Sequence, residues 1–141
     1  MKIVIKGKPI AKKRPRFARV GKFVKTYNDQ QTEEGRWLWE AMQQMTGEPL
    51  SGPVRMLCEF IFPRPKSHFG TGKNSGKLKP SAPHFHIQTP DKDNCEKFAM
   101  DCLNKHAYHD DCQVVYSTTS KRWACPGEQG RSVIVLEGIN A

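Results

Sequence analysis

The chain has 141 residues and a net charge of +9, because 23 Lys and Arg residues outnumber 14 Asp and Glu residues. This length predicts one domain over residues 1–141 that can fold without disulfides or a structural metal. The five cysteines form no C-x-x-C pair, which favours a reducing, intracellular location. The lack of a signal peptide and of an apolar run of about 18 residues argues against secretion and against a membrane partner.

The first 27 residues predict two strands that flank a strongly basic segment. Met1–Lys6 alternates polar and apolar residues, as a strand does, and Phe23–Tyr27 is a second extended piece. We expect the segment between them to be a loop that holds phosphate groups, since Arg side chains can fork onto phosphate oxygens. A solvated surface loop is the alternative. The candidate phosphate-binding residues are Lys12, Lys13, Arg14, Arg16 and Arg19.

The middle of the chain predicts one helix and one strand. The helix is expected to be capped by Asn28 or Asp29 and to run to about Met45, with Trp39 outside its apolar stripe. Pro53–Phe62 alternates but has apolar residues on both faces, which favours a central place in a sheet. The stripe of the helix consists of Trp37, Leu38, Ala41, Met42 and Met45.

Residues 66–88 show little periodicity and predict a long, flexible basic loop. A loop of this length within a small domain is usually functional or disordered, and its charge favours a segment that orders on the substrate. His84 and His86 alternate near its end and are expected to be surface residues rather than metal ligands. Its candidate substrate contacts are Lys66, Lys73, Lys77 and Lys79.

The stretch after Pro90 predicts an amphipathic helix that begins beside two carboxylates. Apolar residues recur at helical spacing from Asn94 onward, so Asp93 is the expected N-cap, with Asp91 just outside the helix. Lys97 is four residues after Asp93 and can reach back toward the carboxylates. Capping residues and solvated Asp–Lys pairs are common, but capping does not need a second carboxylate. The stripe consists of Cys95, Phe98, Ala99, Cys102 and Leu103.

A second acidic pair, Asp110–Asp111, lies between this helix and two strands predicted in the tail. The strands are Gln113–Trp123 and Arg131–Glu137, and the segment 126–130 is expected to join them as a hairpin. The spacing permits a fold-back that brings the acidic pair to the start of the helix. The predicted elements together indicate an α+β domain with a mixed sheet of about four to five strands and two main helices.

Converging carboxylates need a counter-charge. Two unit charges 4 Å apart repel by about 4 kcal/mol at an effective dielectric constant of about 20, and a divalent cation removes that cost. Oxygen ligands favour Mg²⁺ or Mn²⁺ over zinc. A zinc site from His106, His109 and Cys112 is an alternative, but this spacing matches no usual tetrahedral pattern. An acidic centre in a basic chain indicates a polyanion that is held by the surface and processed at the centre.

Several motifs together resemble the signature of RusA-type Holliday junction resolvases. They are Pro90–Asn94 with the pattern P-D-x-D-N, then Lys97, then Asp101–Asn104, then Asp110–Val114 with the pattern D-D-x-Q-V. The basic segment Gly7–Arg16 is similar to the start of phage and prophage members. The resemblance implies a homodimeric endonuclease that uses Mg²⁺, with Mn²⁺ as a substitute and no small-molecule cofactor, to resolve four-way DNA junctions. It also implies a cytoplasmic, bacterial or phage-encoded protein of DNA recombination, repair or phage DNA processing.

The resemblance assigns the metal ligands to Asp91, Asp93 and Asp111 and adds Lys97 as a fourth catalytic residue. The chain departs from the family pattern at Lys92 and Cys95, where members often carry leucine. By analogy with similar nucleases, hydrolysis leaves a 5′-phosphate and a 3′-hydroxyl.

Two other functions fit parts of the pattern. A PD-(D/E)xK nuclease would use Pro90–Asp91 and Glu96–Lys97, although its second half normally lies on a separate strand and ends E-x-K. A non-catalytic DNA-binding module would use the acids as caps and the lysines as a phosphate grip, with a steep salt dependence. A pure DNA binder has no reason to cluster acids beside its substrate, so the sequence favours the enzyme.

Overall fold

A four-stranded mixed sheet and two helices form the body of the protein, and two further strands pair with each other as a ribbon. The structure is a computed structural model that describes residues 1–13, 16–27 and 30–140. The predicted α+β class, with a mixed sheet of about four strands and two helices, is confirmed. The elements are β1 (Lys2–Lys6), β2 (Arg16–Val20), β3 (Phe23–Tyr27), α1 (Gln31–Met42), β4 (Val54–Phe62), α2 (Lys92–Leu103), β5 (Val114–Trp123) and β6 (Arg131–Gly138).

The sheet has the strand order β1-β6-β4-β5, which makes β5 an edge strand. β4 pairs with β6 antiparallel and with β5 parallel, so its predicted central position is confirmed. The predicted hairpin between β5 and β6 is wrong, because β4 lies between them. The connection passes the end of β4, where the Ala124 amide donates to the Phe62 carbonyl at 2.8 Å. Helix α2 lies in the crossover between the parallel strands β4 and β5, as such connections require.

Two predictions near the start of the chain need correction. The segment Arg16–Val20, expected to be part of a loop, is a strand that pairs antiparallel with β3. Its turn uses Gly21 at φ +61, a conformation that favours glycine. Helix α1 ends at Met42 rather than near Met45, while its expected caps, Asn28 and Asp29, lie outside the described residues.

The helices cover one face of the sheet and enclose the core. All five residues of the predicted α2 stripe are buried, which confirms that stripe. The indole of Trp37 on α1 meets the ring of Phe98 edge-on, with centroids 6.1 Å apart. Trp39, predicted to lie off the α1 stripe, is 67 % exposed, and Met42 from the stripe itself is 51 % exposed. Neither helix has the length and hydropathy of a membrane span in the described ranges.

Candidate active site

Asp91 and Asp93 stand at the first turn of α2, with their side chains exposed to solvent. The helix begins at Lys92 and its N-cap is Asp91, so the prediction of Asp93 as N-cap is wrong. The reason is that the Asp91 backbone is extended, at φ −70 and ψ 148, while its carbonyl already accepts the Cys95 amide at 3.3 Å. No capping hydrogen bond engages the Asp91 side chain, which leaves its carboxylate available for a ligand.

Among the described residues, the Asp93 side chain makes one hydrogen bond, and it is to the next residue. Its Oδ1 accepts the backbone amide of Asn94 at 3.0 Å. Both carboxylates lie at the positive end of the helix dipole, which stabilises negative charge there. The helix therefore presents two anionic oxygen donors at its first turn without consuming either of them as a cap.

Lys121 on β5 fixes the segment that leads into Asp91. Its Nζ donates to the Gln88 carbonyl at 2.6 Å and to the Pro90 carbonyl at 2.8 Å. Charge-assisted hydrogen bonds of this kind are among the stronger ones in proteins. The ammonium group thus ties the chain immediately before Asp91 to the edge strand of the sheet.

Two further features join the start of α2 to β5. The Thr119 hydroxyl donates to Oε2 of Glu96 at 2.7 Å. Cys95 is buried beneath the same turn, and burial raises the pKa of its thiol to about 11, an effect that Lys121 opposes and that Asp91 and Asp93 increase. The charges of both carboxylates and of the Lys121 ammonium therefore act on the same buried thiol.

Lys97 lies one turn beyond Asp93 on the exposed side of α2. Four residues of helix rise about 6 Å, so its long side chain can reach the space in front of the two carboxylates. It makes no ion pair within 4.0 Å among the pairs of described residues. Its charge is therefore available to a bound anion.

Asp110 and Asp111 differ in what they do. Asp110 caps the short 3-10 turn Asp111–Gln113: its Oδ1 accepts the Cys112 amide at 3.0 Å and its Oδ2 faces Nζ of Lys105 at 3.2 Å. These contacts, the amide first, hold the pKa of Asp110 below its usual range. The Asp111 side chain is half-buried and forms no capping contact of this kind in the described residues, so it is the freer ligand candidate.

Asp111 lies far from the other two predicted ligands within one chain. Its backbone amide donates to Oδ1 of Asn104, the C-cap of α2, at 3.1 Å. Asp91 stands at the opposite end of this helix, whose 12 residues span about 18 Å. Among the described residues no three His, Cys, Asp or Glu side chains form a group that could hold a metal ion. The expected fold-back of Asp111 onto the start of the helix therefore does not occur within one subunit.

The predicted substrate-binding cations fall into two groups. Lys12 bridges the helices, because its Nζ lies 3.1 Å from Glu34 Oε1 and 3.2 Å from Asp101 Oδ2. Burial lowers its pKa, but the hydrogen bonds to these two carboxylates outweigh burial and the net pKa is raised. Lys12 is thus held as a structural bridge. Lys13, Arg19, Lys66, Lys73, Lys77 and Lys79 are exposed, while Arg14 and the side chain of Arg16 lie outside the described part.

The basic loop 66–88 contains two 3-10 turns, Lys66–His68 and Gly72–Asn74, and a bridge between Phe69 and Leu78. His84 in this loop is exposed, as expected, but His86 is only 4 % exposed, so its prediction as a surface residue is wrong. His86 packs against core rings that lie far away in the sequence. No pattern in the neighbouring sequence indicates this packing or the contacts of Lys121.

The fold and the site define a class. A basic α+β domain presents two exposed carboxylates at the start of a helix and, one turn further along, a lysine without an ion pair to the described residues, an arrangement suited to hydrolysis of a phosphodiester in a nucleic acid.

The family comparison agrees with this class. The family model described as Endodeoxyribonuclease RusA matches residues 6–134, which is most of the chain, and the protein belongs to this family of nucleases that act on DNA. No curated protein matches the chain.

Proposed function

We propose that this nuclease resolves four-way DNA junctions by paired, metal-dependent hydrolysis, and that it works as a two-fold dimer in which each active site is shared. The observation that carries the proposal is the placement of Asp91 and Asp93 at one end of α2 and of Asp111 at the other. A junction needs two symmetric cuts, and a two-fold dimer supplies two equivalent sites.

The edge of β5 supports such a dimer. In the described part of the chain no strand pairs with this edge before Arg122, where Phe85 forms a bridge. Val115 and Tyr116 at its start are 56 % and 62 % exposed. An unprotected edge with apolar side chains is a usual place for a second chain to add.

Antiparallel pairing of two β5 strands brings the separated acids together. Asp111 precedes the first residue of β5, whereas Lys121 near the end of β5 contacts the carbonyl of Pro90, the neighbour of Asp91. Across a two-fold axis the start of one β5 meets the end of the other. Asp111 of one subunit then lies next to Asp91 and Asp93 of its partner.

The residues that would hold Mg²⁺, or Mn²⁺ in its place, are Asp91 and Asp93 of one subunit and Asp111 of the other. Hard oxygen donors fit these ions. The carboxylate of Asp91 is exposed and makes no capping hydrogen bond that would compete with a metal ion. When bound, the ion supplies a Lewis acid and activates water at neutral pH.

The remaining groups act on the DNA. Lys97 would offset negative charge on the phosphate that is cut, because it is exposed one turn beyond Asp93 and makes no ion pair with the described residues. The exposed lysines of the loop 66–88 hold the flanking phosphates. Lys121 keeps Asp91 in place through the backbone before it.

The test uses a synthetic four-way junction, a flapped duplex and a linear duplex, each incubated with and without Mg²⁺. The junction should be cut at paired positions only with the metal, and the other two DNAs should be cut far more slowly. Asp91→Asn should abolish cleavage and retain junction binding. The matched variant Asp110→Asn, which removes the capping carboxylate next to Asp111, should retain most of the activity. Metal-independent cutting, or full activity of Asp91→Asn, would contradict the proposal.

A further inference from the structure

A pocket of about 260 Å³ opens beside the segment that leads into Asp91. Its lining is mixed: aromatic rings and prolines form one part, and polar side chains from Gln88 and Thr89 form another. Because Thr89 is only two residues before Asp91, a nucleotide next to the phosphate at the site is within reach of this pocket. The residues that matter here are Lys8, Phe62, His86, Gln88, Thr89 and Trp123.

His86 is the unusual member of this lining. Its imidazole stacks on Phe62 with centroids 3.9 Å apart and an interplanar angle of 15°, and it packs against Trp123 at 4.5 Å. Although the residue is only 4 % exposed, Nδ1 has no hydrogen-bond partner among the described residues. Buried polar atoms in proteins nearly always have a partner, so the pocket beside this ring is a place where a bound polar group could supply one to the imidazole.

The charge of the pocket limits what that ligand can be. Burial lowers the pKa of His86, and the nearby cations Lys121 and Lys8 lower it further, so the imidazole is neutral at pH 7. Nζ of Lys121 is already bound to two carbonyls. Lys8 at the exposed rim is then the remaining cation of the lining. One lysine is too little positive charge to hold a phosphate buried in the pocket. It suits a nucleotide whose base lies inside the pocket and whose phosphate stays at the rim.

We infer that this pocket takes one unstacked nucleobase of the strand being cut and distinguishes it through the polar groups of His86 and Gln88. The inference rests on the proposed junction-cleaving function. Enzymes that extrude a base pay a few kcal/mol for unstacking, least where the base is already unpaired. The base pairs at a branch point are intact but their stacking is interrupted, so their bases are easier to extrude than those of a continuous duplex. Capture of a base in this pocket would therefore favour junctions over continuous duplexes, in addition to favouring one base over the others.

The experiment measures single-turnover cleavage of four-way junctions that carry each of the four bases at each position within three nucleotides of the mapped cut. The wild-type protein should show one position at which the rates for the best and worst base differ by about tenfold, which corresponds to about 1.4 kcal/mol. His86→Phe keeps a ring against Phe62 and removes both nitrogens. It should reduce the spread at that position to about twofold and leave the other positions unchanged.

Two further variants keep the test decisive. Gln88→Ala changes an exposed side chain at the rim and should reduce the spread at the same position, so the test stands even if His86→Phe is unstable to heat. His84→Ala, an exposed histidine on the same segment outside the pocket, should keep the wild-type spread.

The failures of the two proposals are distinguishable. If the wild-type protein does not cut the junction with Mg²⁺, the proposed function fails. If it cuts, but has no base preference near the cut or keeps the same preference in His86→Phe and Gln88→Ala, only the pocket inference is overturned.

Discussion

Mixing of inactive subunits tests whether each active site is shared. Consider a dimer in which one subunit carries Asp91→Asn and the other carries Asp111→Asn. In a shared arrangement one site has both substitutions and the other has neither, so one intact site forms. If each site used the acids of a single subunit, both sites would be inactive.

The expected magnitude follows from the length of α2. Its 12 residues separate Asp91 from Asp111 by about 18 Å, and an aspartate side chain reaches only a few ångström, so one subunit cannot complete the set. Purified mixed dimers should therefore have one intact active site where the wild type has two, and they should nick junctions. Each parent variant should be inactive. Because only one strand is cut per dimer, nicked junctions should accumulate in place of resolved duplexes.

The assay uses co-expressed subunits with two different affinity tags, purified through both tags, and a junction labelled on each strand. A matched control is a mixed dimer in which one subunit carries Asp91→Asn and the other carries Asp93→Asn. These residues belong to the same end of the same helix, so no mixed site is intact and the control should stay inactive. Inactive Asp91→Asn/Asp111→Asn dimers, or activity in the control, would refute the shared site.

Two further predictions concern the contacts around the site. Lys121→Met removes two charge-assisted hydrogen bonds. We expect it to lower the free energy of unfolding by about 2 kcal/mol, measured by urea unfolding, and to raise the Mg²⁺ concentration needed for half-maximal cleavage, measured by metal titration. The control Lys105→Met loses one exposed ion pair and should change neither the free energy of unfolding nor this Mg²⁺ concentration. Hydrogen bonds from Arg122 and then from the Cys125 amide lower the pKa of Glu128 from 4.5 to about 2, so the stabilisation by this carboxylate is complete above pH 4.5 and is lost as the pH falls toward 2. Urea unfolding between these pH values should therefore show a shallower loss of stability for Glu128→Gln than for the wild type, and equal slopes would contradict this linkage.

The sequence predicts the parts of this fold that local periodicity encodes. The α2 stripe is confirmed because burial on one face of a helix repeats every three to four residues. The central position of β4 is confirmed by its pairing with both β5 and β6, and the sequence indicated it because Leu57 and Ile61 make the second face of the strand partly apolar. In contrast, the segment Arg16–Val20 shows no alternation of polar and apolar residues that would mark β2 as a strand.

Strand order and the role of distant side chains escape such reasoning. The strands β5 and β6 are neighbours in sequence, yet β4 lies between them, since pairing is decided by the whole sheet. Likewise Lys121 and His86 look like ordinary polar residues along the chain. Their importance arises from contacts with Pro90 and Phe62, more than 20 residues away.

The same strand carries both functions of the proposed dimer. In that dimer β5 forms the subunit contact through its open edge, and through Lys121 it also holds the backbone that positions Asp91. In this proposal a lone subunit has two of the three acids at the start of α2 and the third at the opposite end of the helix, so it would not hold the ion firmly. Hydrolysis then depends on assembly, and assembly on a two-fold axis presents two sites at a fixed separation. We expect the proposed arrangement to favour DNA on which two strands reach both sites, as they do in a four-way junction.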